Sequence, residues 1–278
     1  AELFDAPGGF DRMSLPKIPL AAVIGSPIAH SKSPQIHGHW LKKLGIQGAY
    51  IPMDVAPEDL QQVLQTLPKM GFVGANITIP HKEAVMDMVD VITDRAALIG
   101  AVNTLTFRAD GKIMADNTDG YGFIENLRAG APSWKGTDGP AAVLGAGGAA
   151  RAVIASLLDA GVPEIMLSNR TRVRADRLKS VFGGRVTVYD WVKAGNMLDH
   201  AALVVNTTSL GMIGKPALRV PLDGLRPSTV VTDLVYAPLK TMLLETAEEA
   251  GCITVDGLGV LLHQAVPGFE RWFGTRPQ

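Results

Sequence analysis

An α/β fold in two domains is what this chain predicts, and three observations carry it. Strand-like and helix-like segments alternate almost from the start, the pattern of βαβ units and parallel sheets. The 278 residues exceed the size at which one core usually keeps growing, so two domains are the natural division. From residue 141 an apolar strand, AAVL, runs into Gly145-Ala146-Gly147-Gly148-Ala149-Ala150 and straight on into a helical pattern, the unit that opens a doubly wound sheet. The first domain is expected over residues 1–118 around a mainly parallel sheet, the second over 119–256, with a cleft between them.

Taken in order, residues 1–18 carry Pro7, Gly8, Gly9 and Pro16 and are expected to form an extended arm ahead of any core. A strand LAAVIG, a helix over 33–44, a strand AYIPMDV and a helix opened by Pro57 follow. Next are a strand VGANITI, helical material over 82–98, and two strands around the hairpin signal Asp110-Gly111. An amphipathic helix over 119–129 ends at Gly130-Ala131-Pro132. Strands near 141, 164, 185, 202, 230 and 252 then supply a six-stranded sheet of Rossmann type. The last helix, GLGVLLHQAVPGFERWF over 257–273, comes after that count is complete and is expected to pack back on the first domain.

Composition narrows the function classes. Apolar residues at 47% and charged residues at 19% describe a globular chain with ample core material, and the formal charge of −1 lacks the basic excess that tracks nucleic acid or anionic membrane. The single cysteine, Cys252, lies in the apolar run CITV and reads as a buried residue of a reducing compartment. With no uncharged apolar stretch long enough to span a bilayer and no signal-peptide pattern at the N-terminus, a soluble cytoplasmic enzyme is expected. No metal ligands are assigned.

The glycine-rich turn carries the first functional reading. Gly145 permits the sharp bend, Gly147 lets the chain approach phosphates, Ala150 keeps the helix close to the sheet, and the helix N-terminus receives a pyrophosphate. At the end of the next strand, IMLSNR, an NAD-binding chain usually offers Asp or Glu to the ribose. Here the chain offers Asn169 and Arg170, with Arg174 one helical turn on, which suits a 2′-phosphate. NADP is therefore the expected cofactor. The competing account is a plain tight turn with surface arginines, which the opposition of several cations to a helix dipole argues against.

Four polar clusters fall where strands end. GSPIAHSKSPQIH places Ser31 and Ser33 at a helix start, either as N-cap material or as hydroxyls that bind a carboxylate. NITIPHK ends a strand with Asn76, Thr78, His81 and Lys82, where the lysine is either solvated or functional. AVNT puts Asn103 inside a strand, where an amide needs a bonded side chain. DNTDGYGF starts a helix at Asp119, a natural N-cap or a functional carboxylate.

Together with GAGGAARA, SNRT, NTTSLGM, DLVYAPLKT and GLGVLLHQA, these strings resemble the shikimate dehydrogenase family, in that family's order from about residue 23 to 266. The resemblance implies an NADP-dependent oxidoreductase acting on a CH–OH group, which reduces 3-dehydroshikimate to shikimate in aromatic amino acid biosynthesis. It implies that Ser31 and Ser33 hold the substrate carboxylate with Tyr236 on the same side, and that Thr78, Asn103 and Gln264 bind ring hydroxyls. Lys82 and Asp119 are implied as the catalytic pair, the lysine as general acid and base and the aspartate as its orienting partner. Gly145, Gly147, Gly148 and Ala149 would cradle the pyrophosphate, and Asn169, Arg170, Thr171 and Arg174 would surround the adenosine phosphate. Thr207, Met212 and the backbone of Gly257 would lie near ribose and nicotinamide, while His81 and Asp116 match without an assigned role. Ile77 stands where the family commonly has valine. Two alternatives remain open: a quinate/shikimate dehydrogenase with broader cofactor use, and a non-catalytic dinucleotide-sensing domain. Quaternary structure is open too, with a homodimer as the candidate.

Overall fold

The computed structural model describes residues 17–278; residues 1–16 of the expected arm lie outside the described residues. The alternation of the sequence condenses into two six-stranded sheets, one from each half of the chain.

The first sheet contains β1 (Leu20–Gly25), β2 (Ala49–Asp54), β3 (Phe72–Ile77), β4 (Val91–Ile92), β5 (Thr104–Phe107) and β6 (Ile113–Asp116), in the order β2-β1-β3-β5-β6-β4. β1 runs parallel to both its neighbours; β5 is antiparallel to β3, and to β6, to which the Asp110-Gly111 hairpin joins it. Around this sheet lie α1 (Ser33–Leu44), α2 (Leu60–Thr66) and α3 (Asp94–Ile99). α1 has Pro34 in its first turn, where a missing N–H costs nothing, and it stops at Gly45, whose φ of 64° is the left-handed conformation glycine adopts freely.

β1 shows how period-2 alternation builds two cores. Ala22 and Ile24 face Leu60, Leu64, Phe72 and Leu105, whereas Ala21 and Val23 face Trp40, Tyr50, Phe269 and Trp272. The latter two aromatics come from the far end of the chain.

The second sheet contains β7 (Ala141–Leu144), β8 (Ile165–Ser168), β9 (Val186–Tyr189), β10 (Leu203–Asn206), β11 (Val230–Asp233) and β12 (Ile253–Val255), in the order β12-β11-β10-β7-β8-β9. Every pairing is parallel, and the order reverses between β7 and β10, the doubly wound topology. Its helices are α4 (Asp119–Gly130), α5 (Gly148–Asp159), α6 (Arg172–Phe182), α7 (Gly195–Leu198) and α8 (Met242–Glu249). Ala141 and Val143 of β7 turn toward Phe123, Leu127, Val153 and Leu157, and Ala142 and Leu144 turn toward Leu198, Leu243 and Leu244. Both faces are dry, as an all-parallel sheet requires. Cys252 is free and buried in the second of these clusters. Among the described residues no helix is long and apolar enough to cross a membrane.

Three expectations need correction. The stretch 82–98 is not continuous helix: a 3-10 turn at Ala84–Met88 gives way to β4, and α3 restarts after Thr93, whose side chain accepts a bond from the Ala96 N–H. The β-branched Val89, Val91, Ile92 and Thr93 resist helix, and Thr93 caps the new one. The last helix is two, α9 (Leu258–His263) and α10 (Val266–Phe273), because Pro267 has no N–H to continue the ladder and fits only a first turn. Asn103 sits one residue ahead of β5 rather than inside it, although its N–H still donates to the Asp116 carbonyl and its own carbonyl accepts from Ile77.

α10 packs on the first sheet, where the Trp272 Nε1–H donates to the Leu105 carbonyl at 2.9 Å. Gly74 makes room for that indole; a Cβ there would collide with the Trp272 ring and the Leu105 oxygen.

Candidate active site

Strand ends of both sheets face a common cleft of about 560 Å³. Its walls include Ser31, Ser33, Thr78, Lys82, Asn103 and Asp119 from the first half and Tyr236, Gly257 and Gln264 from the second. These residues lie far apart in sequence, and the fold brings them to one opening.

The centre of the cleft is an ion pair. Lys82 Nζ donates to Asp119 Oδ2 at 2.9 Å, with both side chains about one-third exposed. Lys82 is placed by the turn after β3, where its carbonyl accepts the Val102 N–H at 2.8 Å. Asp119 is the first residue of α4, and its carboxylate does not cap the helix. Its backbone N–H donates to the Asn117 side chain at 3.0 Å.

Asn103 occupies the other side of Asp119. Its Nδ2 donates to Asp119 Oδ1 at 2.9 Å and to Thr118 Oγ1 at 3.0 Å, and its Oδ1 accepts the Thr118 N–H at 2.9 Å. Asn76 supports the Asn103 carbonyl from β3 and accepts in turn from the buried Tyr50 hydroxyl at 2.7 Å. The carboxylate is thus fixed through one oxygen by an amide and offers the other to the ammonium.

Thr118 was not singled out by the sequence, yet its hydroxyl donates to the Gln264 carbonyl at 2.8 Å and so ties the start of α4 to the end of α9. The only signal in the sequence is adjacency to Asp119, and threonine beside asparagine is common in ordinary turns. Two residues without an assigned role are structural. His81 is buried with Nε2 at 2.7 Å from the Val55 carbonyl, and Asp116 is fully buried against Arg95 and Arg271.

The glycine-rich turn joins β7 to α5. Gly145 has φ 109° and lies against Thr207, whose hydroxyl donates to the Leu144 carbonyl at 2.7 Å; any side chain at Gly145 would be strained and blocked. At Gly147 and Gly148 a Cβ would meet nothing within 4 Å, so the turn opens on empty space. α5 begins at Gly148 with no side-chain cap, which leaves the first-turn N–H groups of Gly148, Ala149 and Ala150 directed outward for an anion. Asn169, Arg170 and Thr171 follow β8 without any carboxylate among them, and Arg174 is exposed on α6. Met212 is partly exposed on the loop after β10, and Gly257 packs so tightly on the Leu234 carbonyl that a side chain is excluded. An open glycine turn, an uncapped helix start and a guanidinium where an acid would repel fit a phosphorylated dinucleotide.

Comparison with known proteins decides among the dehydrogenases this geometry allows. Residues 23–105 match the shikimate dehydrogenase substrate binding domain, and residues 134–213 match the shikimate / quinate 5-dehydrogenase description. The shikimate dehydrogenase (NADP(+)) of Cereibacter sphaeroides is 69% identical over 264 residues, which cover 95% of each chain. The chain belongs to the shikimate dehydrogenase family.

Solved structures of that family have the same fold. The Thermus thermophilus shikimate 5-dehydrogenase in complex with NADP(H) and shikimate is 37% identical, with a TM-score of 0.82 over 94% of this chain and 95% of the other. A quinate dehydrogenase from Corynebacterium glutamicum in complex with NAD is 31% identical, with a TM-score of 0.86 over 94% of this chain and 95% of the other. The α/β class and the doubly wound second sheet expected from the sequence of this shikimate dehydrogenase family member are therefore borne out.

Proposed function

We propose that this chain is an NADP-dependent oxidoreductase that reduces 3-dehydroshikimate to shikimate, with Lys82 as general acid and base and Asp119 as the group that holds it. The observation that carries the reading is the 2.9 Å ammonium–carboxylate pair that lines the cleft at the strand ends of the two sheets. Residues 1–118, with 257–278 returning to them, form the substrate-binding unit, and 119–256 the dinucleotide unit. The high identity to shikimate dehydrogenase (NADP(+)) proteins supports both substrate and cofactor. A place in aromatic amino acid biosynthesis, in the cytoplasm, belongs to the same proposal.

NADPH supplies the hydride when bound. As the ketone carbon is reduced, its oxygen gathers negative charge, and the Lys82 ammonium in the cleft wall would be its cation and proton donor. Asp119 keeps the ammonium pointed into the cleft, and Asn103 keeps Asp119 from rotating away. Because both Asn103 donor bonds are spent within the protein, a ring hydroxyl that reaches this amide shares an N–H already aimed at Asp119 or Thr118. Ser31, whose Oγ accepts the Ser33 N–H at 3.3 Å, Ser33 and Tyr236 line the side of the cleft suited to the substrate carboxylate. Thr78 and Gln264 face the ring hydroxyls.

The test is NADPH absorbance with shikimate and NADP⁺, set beside quinate and NAD⁺, for the parent protein and Lys82→Ala. We expect turnover with shikimate and NADP⁺, and a kcat loss of about 100-fold or more in Lys82→Ala with a smaller change in KM, since proton transfer is needed mainly in the transition state. An unchanged kcat would remove Lys82 from the chemistry.

A further inference from the structure

Beyond the glycine turn, the strand ends of the second sheet frame a separate hollow of about 320 Å³, lined by Arg170, Trp191, Leu210, Pro216, Ala217 and Arg219. Arg170 follows β8, Trp191 follows β9 and Leu210 follows β10, so the hollow lies at the carboxyl ends of the strands, where doubly wound sheets take their ligands. The residue just past β8 reaches the adenosine ribose when the pyrophosphate sits on the α5 N-terminus. The hollow therefore lies on the route of the adenosine end of a dinucleotide.

Two cations meet there without an anion. Among the described residues neither Arg170 nor Arg219 forms an ion pair or a side-chain hydrogen bond, although both line the same space from different segments of chain. Their neighbour Arg172 is different: Asp190 at 2.5 Å and Asp176 at 3.7 Å neutralise it. Arg174 is exposed on α6 and does not line the hollow. Two unpaired guanidiniums that line one small hollow suit an anion between them, and a phosphate monoester offers enough oxygens to pair with both.

We infer that Arg219, on the segment between β10 and β11, is a specificity-determining residue that meets the adenosine 2′-phosphate in the hollow it shares with Arg170. The inference rests on the NADP reading above and assigns a further cation of the phosphate site to a loop that the glycine turn and the SNRT string do not include. Arg219 reaches only the extra phosphate, so its loss leaves unphosphorylated adenosine unaffected.

The probes are adenosine 2′,5′-bisphosphate and 5′-AMP, titrated by calorimetry into the parent protein, Arg219→Gln, Arg170→Gln and Arg174→Gln, together with kcat/KM for NADP⁺ and NAD⁺. We expect Arg219→Gln to weaken the bisphosphate about tenfold and lower kcat/KM for NADP⁺ about as much, the loss of a charge-assisted bond, while 5′-AMP and NAD⁺ change less than about twofold. Arg174→Gln should fall short of that loss. Bisphosphate binding unchanged in Arg219→Gln but weakened in Arg170→Gln would overturn the inference and leave the NADP reading standing. Equal losses for bisphosphate and 5′-AMP would make Arg219 an adenine contact and overturn it as well. A parent protein that binds both probes alike would overturn the NADP reading and this inference together.

Discussion

Asp116 shows what a single residue contributes behind the site. Its fully buried carboxylate accepts from Thr93 at 2.8 Å, Arg95 at 2.7 and 2.5 Å, Arg271 at 2.8 Å and the Asn117 N–H at 2.8 Å. Burial alone would raise its pKa, but the bonds from Arg95, Arg271 and Thr93 outweigh that and hold the carboxyl well below the usual range. A depressed folded value means that the stabilisation is complete above the ordinary carboxylate pKa and fades only as pH falls through the folded value, so at pH 7 it is fully present. Asp116→Asn should therefore cost about 2 kcal/mol in urea unfolding at pH 7, a figure kept modest because Arg95 is 45% exposed and can rehydrate. Unfolding midpoints that coincide with the parent would show the cluster to be dispensable. The sequence placed Asp116 in a matching string without a role, since nothing local reveals that Arg95 and Arg271, 176 positions apart by their numbers (271 − 95), converge on it. The meeting of Lys82, Asp119 and Asn103 at one opening was legible for the opposite reason: their strings are polar stretches that interrupt apolar runs, although Asn103 stands ahead of β5 rather than inside it. Arg219 had no such frame, being one exposed charge in a loop.

At the scale of elements, legibility followed the strength of local punctuation. α1 could be read residue for residue because Pro34 opens it and Gly45 ends it, and the second sheet could be read because strands buried on both faces are short unbroken apolar runs. The segment 82–98 was misread because its apolar spacing suits a helix while its β-branched residues and the Thr93 cap do not. α1 also carries a feature that only packing exposes. His37, on its inner face, is fully buried and stacks on Tyr50 with ring centroids 4.0 Å apart, enclosed by Trp40, Phe269 and Trp272. Among the described residues neither ring nitrogen has a partner, and desolvation lowers the imidazole pKa to about 3. The unfolded chain binds a proton near pH ~6.5 that the folded one refuses, so stability falls as pH drops from there toward 3, by about 1.4 kcal/mol per pH unit. His37→Phe removes that proton, and its stability should vary much less between pH 6.5 and 4.5 than the parent's. Parallel stability curves for the two proteins over that interval would assign the acid sensitivity elsewhere.

For the whole molecule, the two sheets draw on the chain unequally. The second sheet is self-sufficient: both clusters that cover it are built from residues between Phe123 and Val255. The first sheet is not, because one of its faces is closed by Val266, Phe269, Trp272 and Phe273 of α10, which begins 150 residues past the end of β6. Burying those four side chains contributes roughly 8 kcal/mol at about 2 kcal/mol each, comparable with the whole stability of an ordinary domain. α9 and α10 also fasten the site, through the Thr118 hydroxyl on the Gln264 carbonyl and through Arg271 on Asp116. A chain ending at residue 256 should therefore lose the first sheet and keep the second. Hydrogen exchange reads this directly: amides of β1, β3 and β5 should exchange at rates close to those of the unfolded chain, while β7, β8 and β10 stay protected. The Trp272 N–H bond to Leu105 and the packing of Phe269 on Trp40 make this a matter of tertiary contact rather than strand propensity, since β1 and β3 keep all their own residues in the shortened chain. Equal protection of both sheets would mean that the face under α10 can close on itself, and the cleft would then depend on the C-terminal helices only for the Gly257, Val260, Leu261 and Gln264 part of its wall and for the Thr118–Gln264 bond.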